Sequence, residues 1–469
     1  MTTLIPKFDL MNGGSTPTGA VNRPINEKLA EVVSVKDFGA VGDGTTDDSV
    51  AFANAVATGK SIFVPKGTYK CGFSLATGQR IYGEGARGET TLTPTGNNAT
   101  VIIISATSVA KQHCTIENLG ILNPNSFTGC TGIWFQGTNV STINDNHFVE
   151  NVYVSGVQLG VYVTGRLILS TFINVEITTC STALYVNTDA TTAAFNANCF
   201  ITCRFVNSIQ NGFYFTGWNL SNTFLNCDFE SNNTANANSY GGVYITGKTE
   251  ELSFLGCYWE SNGSSVAIDT GTIGNNSYGL YITGTDAYNV LIQNCYMVTS
   301  GIMIHMDVSS GVIGGLVTGC RFAPLTNGWD IYQNSQLGGA YQPFVIDGNN
   351  YFSGKMEITE TGAAETPACI RQLTGLRYIT GTPSGVNNID LRRTQNVFCQ
   401  TSGTITFNNT NTLYFVAGEK FAVVNNGSGS TVIDATIMAS GSSVTLTSGQ
   451  TATFIVANSI GSKKFIRLS

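Results

Sequence analysis

The sequence has 469 residues, of which only 11% are charged, with 53 glycines and a net charge of −7. Its hydrophobic share of 42% excludes a disordered chain. The acidic balance argues against a nucleic-acid partner, which would need a basic stripe.

Residues 1–32 are short and polar. "MTTLIPKFDLMNGG" lacks the basic start and apolar core of a secretory signal, and the longest nearby apolar run, "VIIIS" (101–105), is too short to span a membrane. The run "VSVKDFGAVGDGTTDDSVAFANAVATGKSIFVPKGTYKC" (33–71) predicts a helix. Thr46, Asp47 and Asp48 cap it and precede the apolar positions Val50, Ala53, Val56 and Ala57. "SIFVP" reads as a strand and "KGTY" as a turn. Asp43, Asp47 and Asp48 could gather a cation, but a turn plus N-cap uses the same residues, so no metal is expected. "GEGARG" (83–88) matches a dinucleotide fingerprint in letters only. No helix begins after it to hold a pyrophosphate, so it is read as a turn and no cofactor is expected.

From 130 to 355 the chain repeats itself. "FLNCDFESN" (224–232) and "FLGCYWESN" (254–262) agree at six of nine positions. Looser copies are "FINVEIT" from Phe172, "FITCRFV" from Phe200, "INDNHFV" (143–149), "IQNCYMV" (292–298), "VTGCRFA" (317–323) and "DGNNYFS" (347–353). They align Asn146, Val175, Cys203, Cys227, Cys257, Cys295, Cys320 and Asn350 at spacings of 24 to 38 residues. A second motif runs in phase, from "GIWFQG" (132–137) through "GVYVTG" (160–165), "ALYVNT" (183–188), "GFYFTG" (212–217), "GVYITG" (242–247) and "GLYITG" (279–284) to "GIMIHM" (301–306). A period in this range signals a solenoid or array. Short alternating strands separated by Gly or Asn, with no helical periodicity, predict an all-β chain wound as a parallel β-helix. The cysteine column then faces inward as small hydrophobes, so thiols are expected, not disulfides.

The 33–71 run resembles the first module of the pectate-lyase-like right-handed β-helix superfamily, and most closely that of bacteriophage tailspikes; "NGGSTPTGAVNRPINEKLAEVVSVKDFGAVGDG" (12–44) is similar to phage tail sequences as well. The resemblance implies a homotrimeric polysaccharide depolymerase of the virion. It would be made in the host cytoplasm, act at the bacterial surface, and join the tail or baseplate through residues 1–32. The coil would span 33–360. Beyond it, "TITFNN", "TLYFVAG", "KFAVVNNGSG", "STVIDATI", "SSVTLTSG", "QTATFIVAN" and "KKFIRLS" read as strands of a β-sandwich-like domain. That domain, 361–469, would serve trimerisation or carbohydrate binding.

Alternation sorts each rung into inward and outward positions. The outward position after the marker carries Glu176, Arg204, Asp228, Tyr258, Tyr296, Arg321 and Tyr351. Two residues on come Thr178, Val206, Glu230, Glu260, Val298 and Ala323. Asp228, Glu230 and Glu260 therefore form a carboxylate group in a chain with only 30 acids. Glycoside hydrolysis needs one protonated acid and one ionised base or nucleophile, about 5 Å apart for retention and about 6.5–9.5 Å for inversion. Adjacent rungs offer the first separation, and diagonal positions the second. Crowding is expected to raise the pKa of at least one acid. Tyr258, Arg204, Trp218, Asn219 and Glu176 are the expected substrate contacts, with Trp218 and Asn219 in a corner loop. Trp259 should face the core. The column Trp134, Tyr162, Tyr185, Tyr214, Tyr244, Tyr281 and Met303 would pack subunits together or bind sugar rings. A lyase acting on a uronate-containing glycan is the alternative, with His147, Arg204, Tyr258 or Tyr296 as candidates. A non-catalytic receptor-binding spike is the third reading.

Overall fold

A computed structural model describes residues 23–361 apart from 86–87, 107–112, 138–141, 189–194, 236–239, 264–276, 309–312, 326–327, 337–343, 347–349 and 352–354, together with Lys7–Phe8, Thr18, Val21 and a set of C-terminal strands. Two units are distinguished, residues 1–209 and 210–469.

In the first unit, Ser34 caps a short 3-10 helix, Val35–Phe38. Its Oγ accepts the Lys36 N–H at 3.2 Å, and Asp37 accepts the Ser34 N–H at 2.8 Å. The predicted helix is Ser49–Ala57. Of the expected caps only Asp47 bonds the helix start, and Asp48, at the N-cap position, makes no side-chain cap bond. Asp48 reaches back to accept the Val41 and Gly42 N–H groups at 2.7 and 3.1 Å. Asp47 accepts from Ser49, and Asp43 accepts from Thr45 and Thr46. Hydrogen bonds from Thr46 and Thr45 hold Asp43, and those from Ser49 hold Asp47, below the ordinary carboxylate range. These acids serve the turn.

Ser61–Val64 is the predicted strand, but "GTYK" is one too. Gly67–Lys70 pairs in parallel with Thr90–Thr93, so the turn shrinks to Pro65 and Lys66. Arg80–Gly83 ends in the glycine-rich run, and the next described element is the strand Thr90–Thr93, not a helix. Ala86 and Arg87 lie outside the described residues.

One turn of coil in the second unit shows the building rule. It comprises Phe213–Thr216, Trp218–Leu220, Thr223–Leu225 and Asp228–Glu230. The corners at Gly217, Ser221, Asn226 and Ser231 have positive φ, the conformation that Gly and Asn adopt with least strain. The following turn repeats it as Gly241–Ile245, Lys248–Glu250, Ser253–Leu255 and Tyr258–Glu260. All four strands pair in parallel and in register: Phe213 with Val243, Trp218 with Lys248, Thr223 with Ser253, Asp228 with Tyr258. This is a parallel β-helix, with the right-handed crossover that parallel connections take. The first unit coils in the same way, pairing Ile133 with Val161, Val161 with Leu184, and Glu176 with Arg204.

The marker column is inward as expected. Cys203, Cys227, Cys257, Cys295 and Cys320 are buried thiols. The Cys257, Cys295 and Cys320 thiols donate to the carbonyls of Phe224, Phe254 and Ile292 at 3.2 to 3.4 Å. The residue before each cysteine alternates Asn226, Gly256, Asn294, Gly319, all at positive φ. A side chain at Gly256 or Gly319 would collide with the asparagine amide of the preceding rung, at 2.5 and 2.3 Å from its Oδ1.

Two alignments are corrected. Tyr153 pairs with Glu176, so Val152, not Asn146, precedes Val175 in the marker column. Tyr281 pairs with His305, so His305 and not Met303 continues the aromatic column. Both slips are an even number of residues. At Met303 the slip keeps every side chain on its own face, so alternation alone cannot detect it, whereas at Asn146 the faces are exchanged, because alternation breaks at Asn151, a residue of positive φ, between His147 and Val152.

The C-terminal strands form a five-stranded sheet and a three-stranded sheet. The first holds Tyr378–Ile379, Asn396–Cys399, Lys420–Asn425, Thr451–Ser459 and Ser462–Arg467. The second holds Gly403–Ile405, Thr431–Ile433 and Val444–Leu446. Asn396–Cys399 runs parallel to Lys420–Asn425, so the first sheet is mixed. "TLYFVAG" lies outside the described residues.

His147, placed outward from the sequence, is buried at 1% exposure. Its Nδ1 accepts the Cys114 N–H at 3.0 Å. Burial pushes its pKa down to about 4 from 6.5. The folded value lies below the unfolded one, so its stabilising share is complete above about pH 6.5 and is lost as pH falls towards 4. That share is on the order of 3 kcal/mol. The thermal midpoint is expected to drop between pH 7 and 4.5, and His147→Gln should flatten this part of the slope, because a Gln carbonyl can still accept from Cys114. An unchanged slope in that variant would remove His147 from the account.

Candidate functional site

The doubled nine-residue motif builds two adjacent rungs. In each, the central aromatic points inward, and Phe229 and Trp259 are both fully buried. The residues on either side, Asp228 and Glu230, then Tyr258 and Glu260, are part-exposed on the outer face. Asn232 and Asn262 close the motif from inside. Asn232 Nδ2 donates to Asn262 Oδ1 at 3.0 Å, and Asn262 Nδ2 donates to the Phe229 carbonyl at 2.8 Å. This ladder fixes the corner beyond both glutamates.

Register sets Asp228 beside Tyr258 and Glu230 beside Glu260. Neighbouring strands lie about 4.8 Å apart, so the two glutamates are adjacent on one face. Tyr258 Oη donates a hydrogen bond to Glu260 Oε2. Desolvation, reinforced by that bond and by the Glu260 and Glu230 charges, pushes the Tyr258 phenol well above its ordinary range. Tyr258 therefore stays protonated and remains a donor. The structure thus brings Asp228, Glu230, Glu260 and Tyr258 together.

Arg204 and Glu176 belong to the first unit, where they form an ion pair of 3.3 Å. Trp218 and Asn219 are not in a corner loop but on the strand Trp218–Leu220. Asn219 points inward with no exposed surface and accepts a hydrogen bond from Asn222, so it cannot meet a sugar. Trp218 faces out, but Lys248 Nζ lies 4.1 Å from its ring centroid, and Lys248 is ion-paired with Glu250 at 2.5 Å. The hydrogen bond with Glu250 pushes Tyr288 up to about 12. Trp218 is two corners away from the carboxylates, at Ser221 and Asn226.

On the upper part of the carboxylate face, sequence reasoning named Tyr296 only as a lyase candidate and passed over Arg321 and Tyr351. Tyr258 stacks on Tyr296 with centroids 5.5 Å apart and ring planes at 21°. Tyr296 pairs with Arg321, and Arg321 with Tyr351. The Arg321 guanidinium lies 5.2 Å from the Tyr296 centroid and 5.6 Å from that of Tyr351. The signal was present, since all four residues occupy the outward position after the marker.

The second outward column is a continuous aromatic stack within each unit. In the first, Trp134 stacks on Tyr162 and Tyr162 on Tyr185. In the second, Tyr214 stacks on Tyr244, Tyr244 on Tyr281 and Tyr281 on His305. His305 is only 4% exposed, and burial pushes its pKa down to about 3.

Residues 32–131 match the family described as rhamnogalacturonase A/epimerase, pectate lyase-like. The tail spike protein of an Escherichia phage is 50% identical over 64 residues, 14% of this chain and 8% of that protein. The pre-neck appendage protein of a Bacillus phage is 49% identical over 43 residues, 9% of this chain and 5% of that one. The chain therefore matches only a small fraction of these curated relatives' lengths. Among solved structures, a tailspike of an Acinetobacter baumannii bacteriophage, described as a capsular polysaccharide depolymerase, is 13% identical with a TM-score of 0.48, over 96% of this chain and 82% of that one.

Proposed function

We propose that this protein is a bacteriophage tailspike that binds a bacterial surface polysaccharide and cuts it by endo-glycosidic hydrolysis. The observation that carries this reading is the in-register pair Glu230 and Glu260 on adjacent outward rungs, with Tyr258 bonded to one of them. The phage relatives and the pectate-lyase-like segment support the setting. In this mechanism Glu230 protonates the glycosidic oxygen. Glu260, accepting from Tyr258, acts as the ionised partner at the anomeric carbon, and Asp228 adds negative charge beside the developing oxocarbenium ion. Residues 1–32 attach the spike to the tail or baseplate. The coil of 33–360 carries the site, and 361–469 trimerises the chain or binds carbohydrate. The aromatic column serves as a seam of the homotrimer. The spike is a virion component, made in the host cytoplasm and acting at the bacterial surface.

Tyr258→Phe tests the assigned geometry. It keeps the stack on Tyr296 and removes only the donor to Glu260. A bond to a charged group is worth about 1.5–3 kcal/mol, so kcat should fall by about tenfold or more with KM little changed. An unaltered kcat would separate Tyr258 from the chemistry.

A specific observation keeps the lyase in view: Arg321 beside Tyr296 offers a cation and a phenol that a uronate could meet. Mass spectrometry of the products decides, because an unsaturated uronate at the new end is made by elimination and not by hydrolysis. Binding to host polysaccharide with no cleavage would select the receptor-binding spike.

A further inference from the structure

The ladder above the carboxylates poses its own question. Arg321 is exposed and has no carboxylate partner among the described residues. Other outward arginines differ: Arg80 is paired with Glu117 and Arg204 with Glu176. Arg321 is nonetheless held in place. Its backbone lies between Tyr296 and Tyr351 in register, and its guanidinium lies over both rings, at 5.2 and 5.6 Å from their centroids. Tyr351 is 60% exposed, so its ring is open to a ligand at the surface.

A planar guanidinium stacked on aromatic faces keeps its N–H edge free and loses little further freedom when it binds. That edge matches a carboxylate, which it can take with two parallel hydrogen bonds. The flanking rings supply apolar faces suited to sugar C–H groups. Arg321 stands two rungs above Tyr258, so about 10 Å along the coil. This exceeds the screening length of about 8 Å at physiological salt. Glu230 and Glu260 can therefore attend one sugar residue while Arg321 attracts an anion carried by another.

We propose that Arg321, held between Tyr296 and Tyr351, is the subsite for a carboxylate-bearing sugar residue, and so that the polysaccharide bound by this protein is an acidic one. The inference rests on the polysaccharide-binding reading of this face and names the class of glycan.

The test uses the full-length chain carrying Glu230→Gln and Glu260→Gln, so that binding is read without turnover. Immobilised alginate, hyaluronan, gellan and a panel of purified acidic and neutral bacterial surface polysaccharides are the probes, the acidic ones both native and after chemical reduction of their carboxyl groups. Binding to one or more native acidic glycans is expected, weaker by about tenfold or more after carboxyl reduction. Arg321→Gln should lower affinity for the native glycan by a similar factor and leave the reduced one unchanged, with an unaltered melting temperature. Arg321→Lys should fall between, since it keeps charge and loses the fork. Binding confined to neutral glycans, binding to none of the panel, or equal binding by Arg321→Gln would overturn the proposal. Failure here is distinct from failure of the hydrolase reading. Cleavage of a neutral glycan by the unsubstituted protein would keep the hydrolase and remove this subsite. Arg321-dependent binding with no cleavage by that protein would do the reverse.

Discussion

Glu260→Gln is expected to lower the release of new reducing ends from the polysaccharide by about a hundredfold to ten-thousandfold, the usual contribution of a positioned acid or base. Glu230→Gln should do the same. The substitution is nearly isosteric, and both side chains are on the outer face beside a fully buried aromatic residue, so the coil should be undisturbed. Melting temperature and polysaccharide binding should therefore match those of the unsubstituted chain. Asp228→Asn should have a smaller effect, because Asp228 is opposite Tyr258 and not opposite a second carboxylate. A small nucleophile such as azide offers a finer probe. In alanine variants, which leave it room, azide should restore turnover with an inverted product where the attacking glutamate is removed and a retained product where the acid–base glutamate is removed. Wild-type rates in both glutamine variants would sink the assignment.

Trp259→Ala is expected to cost about 3–5 kcal/mol, the range for truncating a large buried aromatic. Trp259 has no exposed surface. It stacks on Phe229 at 5.1 Å with planes at 17°, and meets Phe254 edge-on at 5.1 Å. Its rung is also the one that holds Tyr258 and Glu260 outward. Losing the ring should thus loosen the site and lower activity together with stability. Trp259→Phe is the informative control. It keeps an aromatic disc in the stack and removes the indole Nε1, which has no hydrogen-bond partner, so it should cost much less than alanine. Denaturant melts of the two variants give the comparison; equal losses would mean that the stack contributes little.

Much of this protein is legible in its sequence, for a physical reason. A coil of short strands repeats one backbone solution, so each rung must again provide inward apolar residues, most often aromatic, a compact inward residue, most often cysteine, and a corner residue that accepts positive φ. Cys227, Cys257, Cys295 and Cys320 mark that solution in letters, and the buried Trp259 follows from alternation alone. The outward pairing of Glu230 with Glu260 was readable for the same reason: identical motifs in identical register bring identical positions together.

What the sequence did not decide depended on register and on depth. A slip by two residues preserves the pattern of faces, so only the strand pairing could replace Met303 by His305, and a break in alternation at Asn151 hid that Val152, not Asn146, stands in the marker column. Polarity misled at Asn219 and His147, because a polar side chain can be buried when backbone or amide groups inside the coil satisfy it. The hydrogen bond from Tyr258 to Glu260 and the clasp of Arg321 between Tyr296 and Tyr351 join side chains from strands 25 to 38 residues apart in the chain or of chosen rotamer within one strand. Composition and spacing determined the coil and its carboxylate face. The packing of neighbouring rungs, which fixes rotamers and brings remote outward positions within contact distance, decided what stands beside that face.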